Sequence, residues 1–422
     1  MVEALTGQTI TEKIFSLAVG KKVFAGDIVV VPVDLAMAHD GTAPLTINSF
    51  REMGGEKVWD PNRIILVIDH VAPSSFEGTS NLHKLMREFT HEQNIKNFYD
   101  IGWGVCHQLM VENHVTSGMV VVGADSHTCT YGALGAFATG IGSTEMAAVF
   151  KTGKLWFRVP ETIQCRFTGE IPPNVMAKDL ILHMVGEIGA DGATYKAIDF
   201  SGDVVKKLSV DGRLTLCNMV VEMGAKSGII QPDQKTYEYL KSKNRFPKTM
   251  LKNDPNIKFK EIYEFEISKL EPQIACPPTV DNVKSVSEVE GLEIDQVFLG
   301  SCTNGRIEDL KEAAKILVNQ KIHPNVRMIV IPASRNVYLE ALKEGLIEIF
   351  VKAGCTVCNP GCGPCAGAHQ GVPAKGEIVL STSNRNFVGR MGCAEAEIYL
   401  CSPITAAISA VKGKITNVNH VR

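Results

Sequence analysis

Three strings in the first third of the chain decide the fold: DIVVVPVDLA (27–36), RIILVIDH (63–70) and GMVVVGADSH (118–127). Each is rich in β-branched residues, is the length of a single strand and gives way to polar residues. Helical stretches separate them, and that alternation is the signature of an open α/β sheet. In such sheets ligands gather at the carboxyl ends of the strands. The polar ends here are His39-Asp40, Asp69-His70 and Asp125-Ser126-His127. Three strands that all end in His/Asp pairs point to a site built at one edge of one sheet.

Outward from these strings, a glycine-rich stretch runs from Gly132 to Gly142. It lacks GK[ST] and so is not a phosphate loop; it suits close backbone packing at a helix start. A second segment begins near Pro160, with TIQCRFTGEIPP as strand and turn and AKDLILHMVGEIG as an amphipathic helix. Residues 241–260 are polar and lysine-rich and read as a solvated loop with some disorder. CPPTVDN (276–282) marks another boundary. Beyond it come the strand in DQVFLGSCTNG, a helix from about Arg306 to Val318, the strand VRMIVIPAS, and VYLEALKEGLIEIFVKAG as a helix followed by a strand. The expected architecture is three α/β domains, 1–160, 161–275 and 276–422, around a central cleft.

Composition agrees with that division. The chain has 422 residues, 45% hydrophobic and 21% charged, with a formal net charge of −3. That length suits two or three domains of ~100–200 residues each. The near-neutral balance disfavours a nucleic-acid binder, which would carry a positive excess. The N-terminus has no apolar core or cleavage site of a secretory signal, and no apolar run is long enough to span a membrane. A cytoplasmic protein with reduced thiols is expected. Cys165 and Cys217, set among apolar neighbours, read as small buried hydrophobes.

Other cysteines carry chemistry. Cys302 lies in GSCTNGR, after a strand, and Cys362 and Cys365 form a C-x-x-C in NPGCGPCAG. Soft thiolates suit iron–sulfur clusters or zinc. Four would close a 4Fe–4S cluster, and three would leave one iron open as a Lewis acid. Cys355 and Cys358 lie just upstream, so a four-thiolate zinc site is an alternative, although so short a run leaves little chain to wrap a metal. A redox pair is a second alternative. Arg385 and Arg390, in SNRNFVGR (383–390), are either solvated loop residues or forks for a carboxylate.

Read together, DLAMAHDGT, VIDH, VCHQ, GADSHT, GATYKAID, TLCNMVVEMGA, SCTNGR, PGCGPC and NRNFVGR resemble the aconitase superfamily, in order and over nearly the whole chain. The resemblance implies that Cys302, Cys362 and Cys365 hold a 4Fe–4S cluster whose fourth iron binds substrate. It implies that Asp69 and His70 assist departure of the hydroxyl. It makes His107 a second active-site histidine, and it sets Asp125, Ser126 and His127 near the labile iron with Glu222 paired to His127. Asn218 and Asn384 would orient groups near the cluster, and Arg385 and Arg390 would hold substrate carboxylate. His39 stands where the isopropylmalate and homoaconitate branches carry His and the four-domain enzymes carry Gln. Where the two-subunit branch usually has Glu, this chain has Asp199, read as structural.

Length adds a clue. The four-domain members are longer and carry a mobile swivel domain with the catalytic serine base. In the two-subunit branch that domain is a separate small subunit, which this resemblance implies as the partner. The implied activity is a stereospecific dehydration and rehydration of a malate-type acid, with 2-isopropylmalate to 3-isopropylmalate as the leading pair. Homoaconitate and citramalate/maleate are alternatives. Different classes of function are an RNA-binding regulator in the cluster-free form and a zinc-stabilised structural protein.

Overall fold

The three polar-ended strings do meet in one sheet. The computed structural model, which describes residues 7–421, orders its five strands as Asn97–Tyr99, Ile64–Val67, Leu35–His39, Val120–Gly123 and Phe137–Gly140. Every pairing is parallel. The three central strands are buried along nearly their whole length, as sheets covered on both faces require. Chain order reverses between Leu35–His39 and Val120–Gly123, which opens a crevice at their carboxyl ends. His39-Asp40 and Asp125-Ser126-His127 stand there, with Asp69-His70 one strand away.

DIVVVPVDLA is two strands, not one. Ile28–Pro32 pairs antiparallel with Lys154–Arg158 in a separate ribbon and alternates exposed with buried. Leu35–His39 belongs to the five-stranded sheet. Pro32 has no N–H to continue a ladder, and Val33 and Asp34 turn their N–H groups to the carbonyls of Gly153 and Val120.

The second sheet is also parallel, in the order Ser227–Ile230, Ala197–Ser201, Thr162–Thr168, Glu261–Glu266. It is pressed against the turn of helix Ser126–Leu134. A Cβ on Gly132 would lie 1.7 Å from the Gly228 carbonyl oxygen, so only glycine permits this approach. Further along the glycine-rich stretch, Phe137–Gly140 is a strand, and the helix begins at Ser143. Residues 241 and 242 end helix Gln234–Ser242 and the rest to 260 lack regular structure, but the solvated-loop reading needs correction. Arg245 donates to the carbonyls of Val111 and Val115, Lys248 pairs with Asp34, and Asn253 accepts from the Ile10 N–H while donating to Asp199. The segment is a strap across the first two sheets, and its other lysines stay in water.

The third sheet has seven strands: Val283–Ser285, Gln273–Ala275, Glu397–Cys401, Ile378–Ser381, Gln296–Leu299, Arg327–Val330 and Thr356–Val357. The first two pairings are antiparallel and the rest parallel. Its order reverses between Gln296–Leu299 and Ile378–Ser381, and from these two strands the chain passes into Ser301-Cys302 and into Ser383-Asn384-Arg385. VYLEALKEGLIEIFVKAG holds two helices, Arg335–Lys343 and Leu346–Ala353, where a helix and a strand were expected. Gly345, at φ +75°, breaks them apart. The IEIFV string is helical because Leu346, Ile347, Phe350 and Ala353 form one buried stripe at helical spacing.

The largest apolar core draws on all three sheets, including Met37, Ile163 and Phe298, and it contains Cys302, Cys362 and Cys365. Cys165 and Cys217 are buried in the same core, as expected. Among the described residues, no helix is long and apolar enough to cross a membrane.

Candidate active site

At the first crevice the strand ends form one hydrogen-bonded network. Asp69 Oδ1 lies 2.8 Å from His70 Nδ1, and its Oδ2 accepts the Cys106 N–H at 2.6 Å. That second contact fixes the start of helix Cys106–Asn113, which carries His107. His107 Nδ1 meets the Tyr131 hydroxyl at 2.9 Å, and its Nε2 meets Asp125 Oδ1 at 2.8 Å. The same Asp125 oxygen accepts the His127 N–H at 2.7 Å. His127 Nε2 reaches Glu222 at 2.9 Å, and both Glu222 oxygens face Arg385 Nε. His39 stacks on His70 with ring centroids 3.7 Å apart and lies 3.2 Å from Asp125 Oδ2. Ser126 stands apart from these contacts and lines a cavity of about 490 Å³ with Thr139, Tyr195 and Lys226.

The cysteines sit against this network. The Cys362 N–H donates to the Asp69 carbonyl at 2.8 Å. Ligand atoms of Cys302, His107 and His127 lie within 4.8 Å of one another. Asn384 links two of the cysteines: its Nδ2 is 3.4 Å from Cys302 Sγ and its Oδ1 4.0 Å from Cys365 Sγ. Asn218 donates to Cys302 Sγ at 3.3 Å, and Arg390 Nη2 to Cys365 Sγ at 3.4 Å. Three N–H groups thus point at two sulfurs, an environment suited to thiolates that bind metal. Cys355 lies in a different core, with Ile347 and Phe350. The tight donor groups among the described residues are His107–His127–Cys302 and His39–Asp40–Asp69–His70.

Some residues of the network were not in the expected set. Asp40 accepts N–H groups from Asp69, His70 and Val71 at 3.1, 2.9 and 2.8 Å and faces His83 Nε2 at 3.2 Å. It holds the turn that presents His70. Its position at a strand end was a usable signal, but its partner His83, in the midst of a helix, gave none. Tyr131 and Arg306 are likewise buried site neighbours without a signal of their own.

Electrostatics sort these groups into acids and anions. Burial opposes charge on His70, but Asp69, then Asp40 and Asp125, raise it to about 10. Burial opposes ionisation of Asp40 and Asp125 as well. Neighbouring histidines outweigh it and hold both carboxylates well below their usual range. His127 is raised despite burial by its bonds to Asp125 and Glu222. Burial pushes His107 down, and Asp125 offsets this only partly. Burial lifts the Cys302 thiol to about 12, so it is no free nucleophile at neutral pH. The hydrogen bond from Cys362, with Arg390 beside it, holds Cys365 down.

A family model described as the aconitase family (aconitate hydratase) matches residues 12–291 and 279–413. The chain is 57% identical over 412 residues to the probable 3-isopropylmalate dehydratase large subunit of Methanothermobacter thermautotrophicus, covering 97% of this chain and 98% of that one. It is 56% identical to 3-isopropylmalate dehydratase large subunit 1 of Methanopyrus kandleri, covering 97% and 99%. It is 52% identical to the probable methanogen homoaconitase large subunit of Methanothermobacter thermautotrophicus, covering 96% of each. Among solved structures, holo-form aconitase X of Thermococcus kodakaraensis superposes with a TM-score of 0.50 at 14% identity, covering 89% of each chain, a likeness of fold.

Proposed function

The chain belongs to the aconitase family and is a hydro-lyase of that family, and on that premise we propose that it is the cluster-carrying large subunit of an enzyme converting 2-isopropylmalate to 3-isopropylmalate. The observation that carries this reading is Asn384 touching both Cys302 and Cys365 while the Asp69 carbonyl holds Cys362, which sets three thiols against the His/Asp network. The donor set fits a cluster: the Cys302 and Cys365 sulfurs face amide and guanidinium N–H groups, as cluster thiolates do. The expected ligands are Cys302, Cys362 and Cys365. A 4Fe–4S cluster bound there supplies an open iron, a Lewis acid for the substrate's hydroxyl and carboxylate.

The chain's own residues divide the remaining work. His70 stays protonated through the neutral range and offers an acid for the departing hydroxyl. Asp69 and Asp40 fix its ring and its turn. His127, held between Asp125 and Glu222, is a second acid, and His107 is the neutral imidazole of the trio. Arg385 spends its Nε on Glu222, and its terminal nitrogens make no hydrogen bond among the described residues. They serve a substrate carboxylate. Arg390 attends Cys365. The three sheets correspond in this reading to domains 1–160, 161–275 and 276–422, except that strand Gln273–Ala275 pairs into the third sheet, and the site lies where they meet.

The large-subunit names of the relatives support a separate small subunit as partner. Substrate choice follows the relatives at 57% and 56% identity, named for 3-isopropylmalate. A second reading, homoaconitate hydration, is favoured by relatives named methanogen homoaconitase at 52% to 54%. Reconstitution with the small subunit and comparison of kcat/KM for isopropylmalate, homoaconitate and citramalate decides between them. A higher kcat/KM for homoaconitate than for isopropylmalate would replace the first reading with the second.

A further inference from the structure

Two arginines are almost wholly buried, each 1% exposed: Arg213 and Arg306. Arg213 answers to a carboxylate, with Asp233 at 2.6 Å. Arg306 makes no such ion pair among the described residues. Its side chain spends its N–H groups on neutral acceptors instead. Nη2 donates to the Cys302 carbonyl at 2.5 Å, and Nη1 to the Thr303 carbonyl at 2.7 Å and the Thr215 hydroxyl at 3.3 Å. Nε donates to Gln108 Oε1 at 3.1 Å. These partners come from three parts of the fold. Gln108 lies beside His107 on helix Cys106–Asn113, Thr215 on helix Val210–Asn218, and Cys302 and Thr303 on the turn after strand Gln296–Leu299.

That turn needs holding. Ser301 sits at φ +72°, a region L side chains rarely adopt, and its hydroxyl accepts the Thr303 N–H at 3.1 Å. Such backbone persists only where surroundings over-determine it. Arg306 grips the two carbonyls that follow. Asp309 and Asp211 feel its charge without pairing with the guanidinium, and burial raises both, so that charge is only partly compensated; the cost of burying it falls further when negative charge is brought beside it. Cys302 is the residue whose carbonyl Arg306 holds, and its thiolate is the negative charge due to arrive.

We propose that Arg306 is a positioning residue for the cluster: it fixes the Cys302 turn, and its charge, which no carboxylate among the described residues pairs directly, offsets the charge of the cysteine thiolates. This rests on the cluster reading given above. Arg306 touches no substrate, so its effect is to be read on the cluster itself.

The test compares wild type, Arg306→Met, Arg306→Lys and Thr215→Val as full chains, each reconstituted anaerobically with iron and sulfide. Three quantities are measured: iron and acid-labile sulfide per chain, the rate of iron loss in air, and the midpoint potential followed by electron paramagnetic resonance. Arg306→Met is expected to lower the potential, changing the oxidised-to-reduced ratio about tenfold, or about 59 mV for one electron. It is also expected to lose iron faster. Arg306→Lys keeps the charge but not the fork, so it should hold the potential near wild type while losing iron faster. Thr215→Val removes only neutral contacts, to Arg306, Asn304 and the Thr303 and Asp211 carbonyls, and should accelerate loss without moving the potential. If Arg306→Met does not fold, the lysine and valine variants still separate grip from charge. Wild-type retention and potential in every variant that folds would overturn the proposal while leaving the cluster reading intact. A wild-type chain that takes up no iron and sulfide would overturn the cluster reading, and this proposal with it.

Discussion

Arg385 Nε lies 2.9 and 3.0 Å from the two carboxylate oxygens of Glu222. Glu222 thereby joins the third sheet's arginine to His127 at the carboxyl edge of the first. Burial opposes its ionisation, but His127 and Arg385 overcome this and hold its pKa below the usual value. Glu222→Gln keeps the shape and removes the charge that sustains both partners. We expect kcat to fall about 10²-fold or more, the range of a lost acid–base group, with iron content unchanged. Steady-state kinetics of the reconstituted two-subunit enzyme check this, and an unaltered kcat would remove Glu222 from the site.

His70 should set the alkaline limb of activity. Its pKa of about 10 lies above the ordinary 6.5. A group raised in this way contributes stability that is full below 6.5 and lost as pH rises through about 10. Over the same window it remains an acid. Asp69→Asn removes the nearest anion, so the alkaline limb of kcat should move down by about one pH unit or more. The pH profile of kcat for both proteins measures the shift, and coincident limbs would separate His70 from the proton transfer.

The cysteine assignment is open to direct substitution. Cys302→Ser should abolish the cluster, since two asparagine donors converge on that sulfur. Cys355→Ser should leave it, because Cys355 packs in the third core with Phe350. Iron, sulfide and visible absorbance of the two variants decide the matter. Loss of the cluster in Cys355→Ser with retention in Cys302→Ser would reverse the ligand set.

Much of this was legible in the chain because period-two and continuous apolar strings mark strands, and because the residues after them are polar. The crevice at His39, Asp69 and Asp125 follows from three strand ends, and Cys302 from a fourth. The split at Pro32 was not legible, since five β-branched residues run through it and only the change from alternating to continuous burial separates the two strands. The helix Leu346–Ala353 was hidden for a related reason: its isoleucines and valine favour strands in isolation, and tertiary burial of one stripe decided otherwise. Arg306 and His83 were invisible because their roles lie in whom they touch across the fold, which no local pattern records.

Asp199 predicts a stability effect remote from the site. Burial lifts it to about 6, only partly offset by Asn253, Gln164 and Gln231. A carboxyl whose folded pKa lies above the unfolded 3.8 costs nothing below pH 3.8 and destabilises as pH rises through about 6. The shift is worth about 2–3 kcal/mol at most. Asp199→Asn should therefore raise the melting temperature at pH 8 and leave it unchanged near pH 4. An equal change at both values would show that the carboxylate's charge is not the cause.

The isolated chain should turn over isopropylmalate poorly, and the small subunit should restore activity. Dehydration needs a base at the carbon that loses its proton as well as an acid at the leaving hydroxyl. In the proposed reading His70 and His127 are the acids, whereas the carboxylates Asp69, Asp125 and Glu222 are each committed to a histidine. The loops that carry the site also expose large apolar side chains. Phe387 and Val388, 49% and 64% exposed, lie between Arg385 and Arg390. Apolar side chains grouped beside a catalytic cleft suit a protein partner that closes it and excludes water. Phe387→Asp combined with Val388→Asp should weaken association with the small subunit by about tenfold or more, a loss of about 1.4 kcal/mol. Iron and sulfide content should stay at wild-type levels. Titration calorimetry with the purified small subunit measures the affinity. Undiminished binding would place the partner elsewhere, and robust turnover by the purified single chain would show that the base is encoded within it.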